Sequence, residues 1–243
     1  MQKKQRIQQE YEEIDLMDYV KVIIKRKWSI LNVFLIIVIL VGIFTWLTPK
    51  IYKIDTSLEV GKIGAELVES SSQVVEKIEG DVYGILVREK LGISEQNYPK
   101  IQVKNPEDTD LIKIEIESQE TKRAKSILEE IDNLILKEHQ ERLDKRKSKI
   151  EESMKEFQEE LILLETKKEY SEGIAELQIG ISNLKDILAS FQSTRIVKYP
   201  TISEKPVKPN FLLNLVIAVI LGIFIGIFWA FFKEWWEKNK TNT

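Results

Sequence analysis

Cysteine is absent from the chain, and histidine occurs once, at position 139. The first absence excludes a disulfide framework, thiolate chemistry and any cysteine-based metal site. The second leaves Ser-His-Asp, Cys-His and multi-histidine metal arrangements without their parts. No Gly-x4-Gly-Lys-Ser/Thr loop is present, so no nucleotide site of that type is expected. Charge is missing from two long runs, Trp28–Leu47 and Phe211–Phe232. At 20 and 22 residues, each matches a hydrocarbon core of ~30 Å at ~1.5 Å per helical residue. About two-thirds of the chain lies between them.

The 163 residues from 48 to 210 are enough to bury a core without staples. That segment carries a net −6, against +2 for residues 1–27 and +1 for residues 233–243. A mildly acidic loop without a basic stripe argues against nucleic acid as a partner. The first apolar run follows a 27-residue leader and ends in Thr45-Trp46-Leu47-Thr48-Pro49 without a small-x-small cleavage site. It therefore reads as an uncleaved membrane helix. Lys21, Lys25, Arg26 and Lys27 precede it and favour a cytoplasmic N-terminus. Two spans then return the tail to the cytoplasm. Trp28, Trp46, Trp229, Trp235 and Trp236 fall at or near the span ends, where indoles prefer the interface.

The fold class expected is that of an α+β membrane protein. Two transmembrane helices flank an extracytoplasmic α/β base with a long antiparallel helical hairpin. The domain reading is a cytoplasmic N-terminus at 1–27, a span at 28–47, an extracytoplasmic domain at 48–210, a second span at 211–232 and a cytoplasmic tail at 233–243. Within 48–210, the base occupies 48–120, the arm 121–192, and a return strand with a proline linker 193–210. In the base, Tyr52, Ile54, Thr56, Leu58 and Val60 alternate with polar neighbours as a half-buried strand does. Leu67, Val68, Val74, Val75 and Ile78 fall at helical spacing, as do Val82, Ile85 and Leu86 before a C-cap at Gly92. Ile101–Lys104 and Leu111–Glu117 read as strands.

From Thr121 to Lys168 helix formers run without glycine or proline. Ile150, Met154, Phe157, Leu161 and Leu164 make a coiled-coil seam. After a break at Glu169–Gly173, Ile174, Leu177, Ile181, Leu184, Leu188 and Phe191 make a second. Gly180 weakens the second helix by roughly 1 kcal/mol relative to alanine. Arg195–Tyr199 reads as a return strand, and Pro200, Pro206 and Pro209 stiffen the approach to the second span.

Nothing here points to catalysis or to a cofactor. His139, in the run Lys137-Glu138-His139-Gln140, reads as a solvated helix-face residue. The pairs Glu129/Glu130, Glu151/Glu152 and Glu159/Glu160 sit among lysines and read the same way, although glycosidases do use paired carboxylates. Glu107, Asp108 and Asp110 lack an EF-hand pattern and read as a turn. In the spans, Gly222-x3-Gly226 allows close helix approach. Asn32 and Asn214, the notable polar residues there, are expected near opposite headgroup layers.

The two ends carry a resemblance. Glu13-Ile14-Asp15-Leu16, Tyr19 and Arg26-Lys27-Trp28 resemble the start of the Wzz-type polysaccharide chain-length determinants, also called polysaccharide co-polymerases. Ser203-Glu204-Lys205-Pro206-Val207-Lys208-Pro209-Asn210, followed by Leu212-Leu213-Asn214 and Gly222-x3-Gly226, is similar to that family's proline-rich segment and glycine-containing second span. Pro206, Pro209, Asn214, Gly222 and Gly226 are thus the family-motif and packing residues. Ser203 departs from the pattern, standing where many members have a further proline. No kinase domain follows the second span and the 11-residue tail lacks tyrosine, so a member without a fused kinase is expected.

The resemblance implies a non-catalytic homo-oligomer in the cytoplasmic (inner) membrane. It would act beside a polymerase on the growing glycan chain and set the length of O-antigen, capsule or exopolysaccharide. A separate cytoplasmic tyrosine kinase is a further partner that some relatives use. The alternatives from other classes are a two-span export adaptor and a ligand sensor with a helical arm.

Overall fold

The computed structural model describes residues 16–106, 109–167 and 171–240. In chain order the elements are helices α1 (Leu16–Lys25) and α2 (Lys27–Leu47), strands β1 (Tyr52–Glu59), β2 (Lys62–Ile63) and β3 (Glu66–Leu67), and helices α3 (Ser71–Glu79) and α4 (Val82–Leu91). There follow β4 (Ile101–Lys104), β5 (Leu111–Ser118), α5 (Thr121–Lys167), α6 (Ser171–Ala189), β6 (Phe191–Gln192), β7 (Arg195–Ile202) and α7 (Phe211–Lys240). They form two compact units, one of residues 50–207 and one joining the described residues up to 49 with those from 208 onward.

The middle unit is framed by an antiparallel sheet in the order β4-β5-β1-β7, beside a small sheet in the order β3-β2-β6. The alternation in β1 has the expected result: Ile54, Thr56 and Leu58 are fully buried on one face, opposite Ile116, Ile114 and Ile112 of β5. Helices cover that face, with Ala124, Ile127, Leu128, Ile131 and Ile135 of α5 and Val74, Ile78 and Val87 of α3 and α4 closing the core. The other face is charged. Asp55 stands directly across from Glu115, a like-charge pairing that is unfavourable by itself. Lys53 and Lys113 each reach Glu115 at 2.8 Å, and Lys198 reaches Asp55 at 2.7 Å. Burial works against the Glu115 carboxylate, but its bonds to Lys113 and Lys53 outweigh burial and hold its pKa low.

Several local expectations shift. Leu67 lies in β3 and Val68 donates its N–H to Gly61 O, so neither is helical; α3 starts only at Ser71, capped by Ser70. Gly92 does end α4 in the left-handed conformation, at φ +64°. The return strand continues through Pro200 to Ile202. Proline is tolerated there because β7 is an edge strand, and two irregularities in its pairing with β1 blunt the edge further. Of the acidic turn, Glu107 and Asp108 lie outside the described residues, as do Glu169 and Tyr170 of the expected helix break; Asp110 pairs with Lys62.

The hairpin is antiparallel, with Gly173 beside Leu164 and Gly180 beside Phe157. At 47 residues α5 extends ~70 Å, far beyond its 19-residue partner. A Cβ at Gly180 would sit 3.0 Å from the Phe157 ring. The glycine that weakens α6 is therefore what lets the two helices approach. Of the seam side chains Ile181 is buried and the others are half-buried, whereas Ile162, Leu163 and Ile179 remain exposed beside it.

In the terminal unit α2 and α7 pair along their length. Both are long and apolar enough to cross a membrane. α7 runs unbroken past Phe232 to Lys240.

Candidate functional site

Two constructions stand out, one in each unit. The first is the interface between α2 and α7. Its α7 side is a stripe of buried small residues, Ala218, Gly222, Gly226 and Ala230, closed by Glu234. Only the two glycines were singled out in sequence; the alanines four residues on either side continue the same face. A Cβ at Gly222 would meet the Phe34 ring at 2.9 Å, and one at Gly226 would meet the Ile30 carbonyl oxygen and Cγ2 at 3.0 Å. The order of contacts, Phe34 with Gly222 and Ile30 with Gly226, makes the pair antiparallel. The N-terminal end of α2 and the C-terminal end of α7 therefore share one side.

Polar contacts close both ends of this interface. Asn214 donates its amide to Thr45 Oγ1 at 3.1 Å. This hydrogen bond inside the chain satisfies a polar group where water is scarce. At the other end Lys25 Nζ donates to Glu234 at 2.8 Å, Arg26 donates to Glu234 at 2.9 Å, and Arg26 also pairs with Glu237. Glu234 is buried and the Arg26 side chain nearly so, which raises the worth of the hydrogen bonds and the cost of losing one partner. In sequence, Lys25 and Arg26 read only as topology signals.

The proline residues sit elsewhere. Pro206 is exposed and Pro209 half-buried after a cis peptide bond. Ser203, the departure from the proline pattern, donates its N–H to Lys53 O at 2.8 Å and accepts the Lys53 N–H on Oγ at 3.1 Å. A proline could make neither contact.

The second construction is the root of the arm. His139 is fully buried, which overturns the solvated reading. Its Nδ1 lies 2.7 Å from Thr194 Oγ1 and its Nε2 lies 3.2 Å from Glu69 Oε2. Thr194 Oγ1 also accepts the Gly61 N–H at 2.9 Å. One tautomer satisfies the chain: Gly61 N–H to Thr194, the Thr194 hydroxyl to Nδ1, and Nε2–H to Glu69. Burial pulls the His139 pKa down, only partly offset by Glu69. Glu69, itself buried, also binds Lys77 at 2.7 Å, and Lys77 continues to Glu138 at 2.7 Å. Glu138 in turn accepts from Tyr83 and Arg142. Burial resists the ionised Glu138, but Lys77, Tyr83 and Arg142 together hold its pKa at about 2.

The signal for His139 was present. Ala124, Ile127, Leu128, Ile131, Ile135, His139 and Leu143 fall on one helical face, in the i, i+3, i+4 pattern, and all are buried. Among the carboxylate pairs, Glu130 binds Lys90 and is largely covered while Glu129, Glu151 and Glu159 pair with lysines on the exposed face. Among the described residues no group of three or more His, Asp or Glu is arranged to hold a metal ion. The chemistry of both constructions is mechanical: they lock helices in register.

The family model described as "Wzz: Chain length determinant protein" matches residues 12–91. A second, "GNVR: G-rich domain on putative tyrosine kinase", matches residues 183–235. No curated protein matches the chain. Among solved structures, a full-length bacterial polysaccharide co-polymerase is similar at 14% identity and a TM-score of 0.48, over 92% of this chain and 99% of that one. A fragment of WzzB, a polysaccharide co-polymerase from Salmonella Typhimurium, aligns at 11% identity with a TM-score of 0.34, over 66% of this chain and all of the fragment. The Shigella flexneri lipopolysaccharide O-antigen chain-length regulator WzzBSF aligns at 12% identity with a TM-score of 0.21, over 63% of this chain and all of that one. The described part of the Wzz match runs from α1 through the first span and β1 to the end of α4.

Proposed function

We propose that the chain is a non-catalytic regulator of surface-polysaccharide length, acting as an oligomeric membrane scaffold beside a polymerase. The observation that carries this reading is the Wzz match laid over the first span and the first strands of the middle unit. Both termini lie in the cytoplasm in this reading, and the segment from 48 to 210 faces outward from the cytoplasmic membrane. The lysines and arginine before α2 support that orientation. Exposed Ile162, Leu163 and Ile179 on the arm support packing between copies, because uncovered apolar side chains beside a seam favour partners. The growing glycan chain is then held or released by how the subunits pack. The GNVR match supports a separate tyrosine kinase as a further partner.

The test is to delete the gene and resolve the host's surface polysaccharide by size, with complementation by this chain alone. A collapsed or shifted modal length that the chain restores supports the reading. An unchanged distribution rejects it and favours an export adaptor or a sensor. Pro206 and Pro209 belong to the same proposal. The double variant Pro206→Ala, Pro209→Ala is expected to insert and accumulate normally while altering the size distribution; an unaltered ladder removes that role.

A further inference from the structure

Helix α1 precedes the first span by a single residue, Arg26, through which the helical hydrogen bonds persist (Arg26 N–H to Val22 O, Ile30 N–H to Arg26 O) while the backbone angles do not. Arg26, between the two helices, has φ −105° and ψ 17°, outside the helical well and in the sparsely used bridge region. The pairing of α2 with α7 shows where a straight helix would go. Phe34 meets Gly222, Ile30 meets Gly226 and Arg26 meets Glu234 and Glu237. Extended one residue for one, the two glycine contacts would set Tyr19 beside Glu237 of α7. Instead the Tyr19 ring packs edge-on against Phe231, with centroids 5.6 Å apart. On α7, Phe231 lies ~9 Å back toward the span from Glu237. The chain therefore turns at Arg26, and α1 lies across α7 at the level of Phe231–Trp235.

That level is marked independently. Trp229, Phe232, Trp235 and Trp236 form one exposed aromatic group on α7, with neighbouring ring centroids 5.8–6.1 Å apart. Exposed aromatic clusters at the end of an apolar span mark the headgroup layer of a bilayer. α1 has the composition suited to that layer. Met17, Val20 and Ile24 line one face at helical spacing and are 62, 47 and 63% exposed. Lys21 and Lys25 occupy the adjoining polar strip. Lys25 is anchored to Glu234, and Lys27 follows on the same side of the span.

We infer that α1 is an in-plane, membrane-surface helix whose Met17–Val20–Ile24 face is seated in the lipid of the leaflet nearer the termini. The occupant is phospholipid rather than a protein for two reasons. The exposed apolar face is continuous with a span that lipid already surrounds, and it sits at the aromatic level. Its lysines match the anionic headgroups found there. This placement concerns the first helix alone and does not depend on the chain-length reading.

The absence of cysteine makes the test direct. Val20→Cys, Ile24→Cys and Lys21→Cys are made singly in the full chain and spin-labelled. The protein is reconstituted in vesicles of phosphatidylethanolamine and phosphatidylglycerol. Collision rates with oxygen, which concentrates in lipid, and with an aqueous nickel chelate are then compared. Labels at 20 and 24 are expected to show an oxygen-to-nickel ratio several-fold above that at 21. Equal nickel access at all three positions would overturn the inference by placing the face in water. Exclusion of both reagents at 20 and 24 would overturn it by placing protein there. Neither Val20 nor Ile24 belongs to the buried core, so neither substitution opens a core cavity.

Discussion

At position 132 of α5 a carboxyl group is 1% exposed and faces Thr56 of β1, whose hydroxyl lies 2.7 Å from Asp132 Oδ2 and 2.8 Å from the Lys198 carbonyl oxygen. Thr56 has one proton for two acceptors. Both contacts carry a proton when the acid is protonated, Asp132 Oδ2 donating to Thr56 while Thr56 donates to the Lys198 carbonyl, and the buried Asp132 Oδ1, which has no partner, is then spared a charge. Burial is the main force raising the Asp132 pKa to about 7, against the Thr56 hydrogen bond and with help from Glu129. A carboxyl whose folded pKa exceeds its unfolded value of about 3.9 contributes stability below that pH and loses it as pH rises to 7. Asp132→Asn removes the titration. The stability of the natural chain relative to this variant should fall by about 2–4 kcal/mol between pH ~4 and ~7, read from denaturant midpoints of the full chain in detergent. A constant difference would place the proton elsewhere. Glu138 acts in the opposite direction, its contribution being present above about pH 4.3 and lost toward 2, which is why the comparison must be made within one pair of proteins. His139→Leu tests the other buried polar site. It strips partners from Thr194 and Glu69 inside the unit and should cost about 2–4 kcal/mol; an unchanged midpoint would show that the bracket at the root of the arm is not structural.

Among the elements, the ones with a long period were legible and the shortest were not. β1 and β5 alternate over eight residues each, so their buried faces follow from the pattern alone. The 47-residue α5 follows from its lack of helix breakers. β2, β3 and β6 have two residues each, and no period can be read in two residues; Leu67 was therefore drawn into a helix. The leader hid α1, although Leu16, Tyr19, Val20, Ile23 and Ile24 fall at helical spacing, because charge near a span reads first as a topology signal. The Gly222-x3-Gly226 spacing was visible, but its partner was not, since a spacing does not say which helix it faces. The structure places α2 there, and the two glycines differ in what they face. Gly226→Ala meets the Ile30 backbone oxygen, whereas Gly222→Ala meets a ring that can turn. Both should destabilise the α2–α7 pair, within about 1–3 kcal/mol, with Gly226→Ala the more severe. Thermal unfolding of the two variants in detergent checks the order; equal or reversed effects would mean that the helices are not in backbone contact at Gly226.

At the scale of the whole molecule, the termini are held to each other by a small ionic cluster as well as by apolar packing. Lys25 and Arg26 come from the start of the chain and Glu234 and Glu237 from its end, more than 200 residues apart in sequence. The cluster sits where the apolar spans give way to the aromatic level, so water screens it less than it would a surface pair. It also lies at the turn that sends α1 across α7. Breaking it should therefore do more than remove one attraction: it should free the turn. Arg26→Glu places three carboxylates together and is expected to release α1, seen as a rise in aqueous access at a label on Val20→Cys. Adding Glu234→Arg restores an opposite pair in reversed order, with Glu237 still beside the new arginine, and should return that access toward the starting value. In cells the single variant should shift the polysaccharide size distribution and the double variant should bring it back. Restoration of the label without restoration of the distribution would separate the two roles. The cluster would then hold the fold of the paired helices while chain length is governed by the middle unit alone.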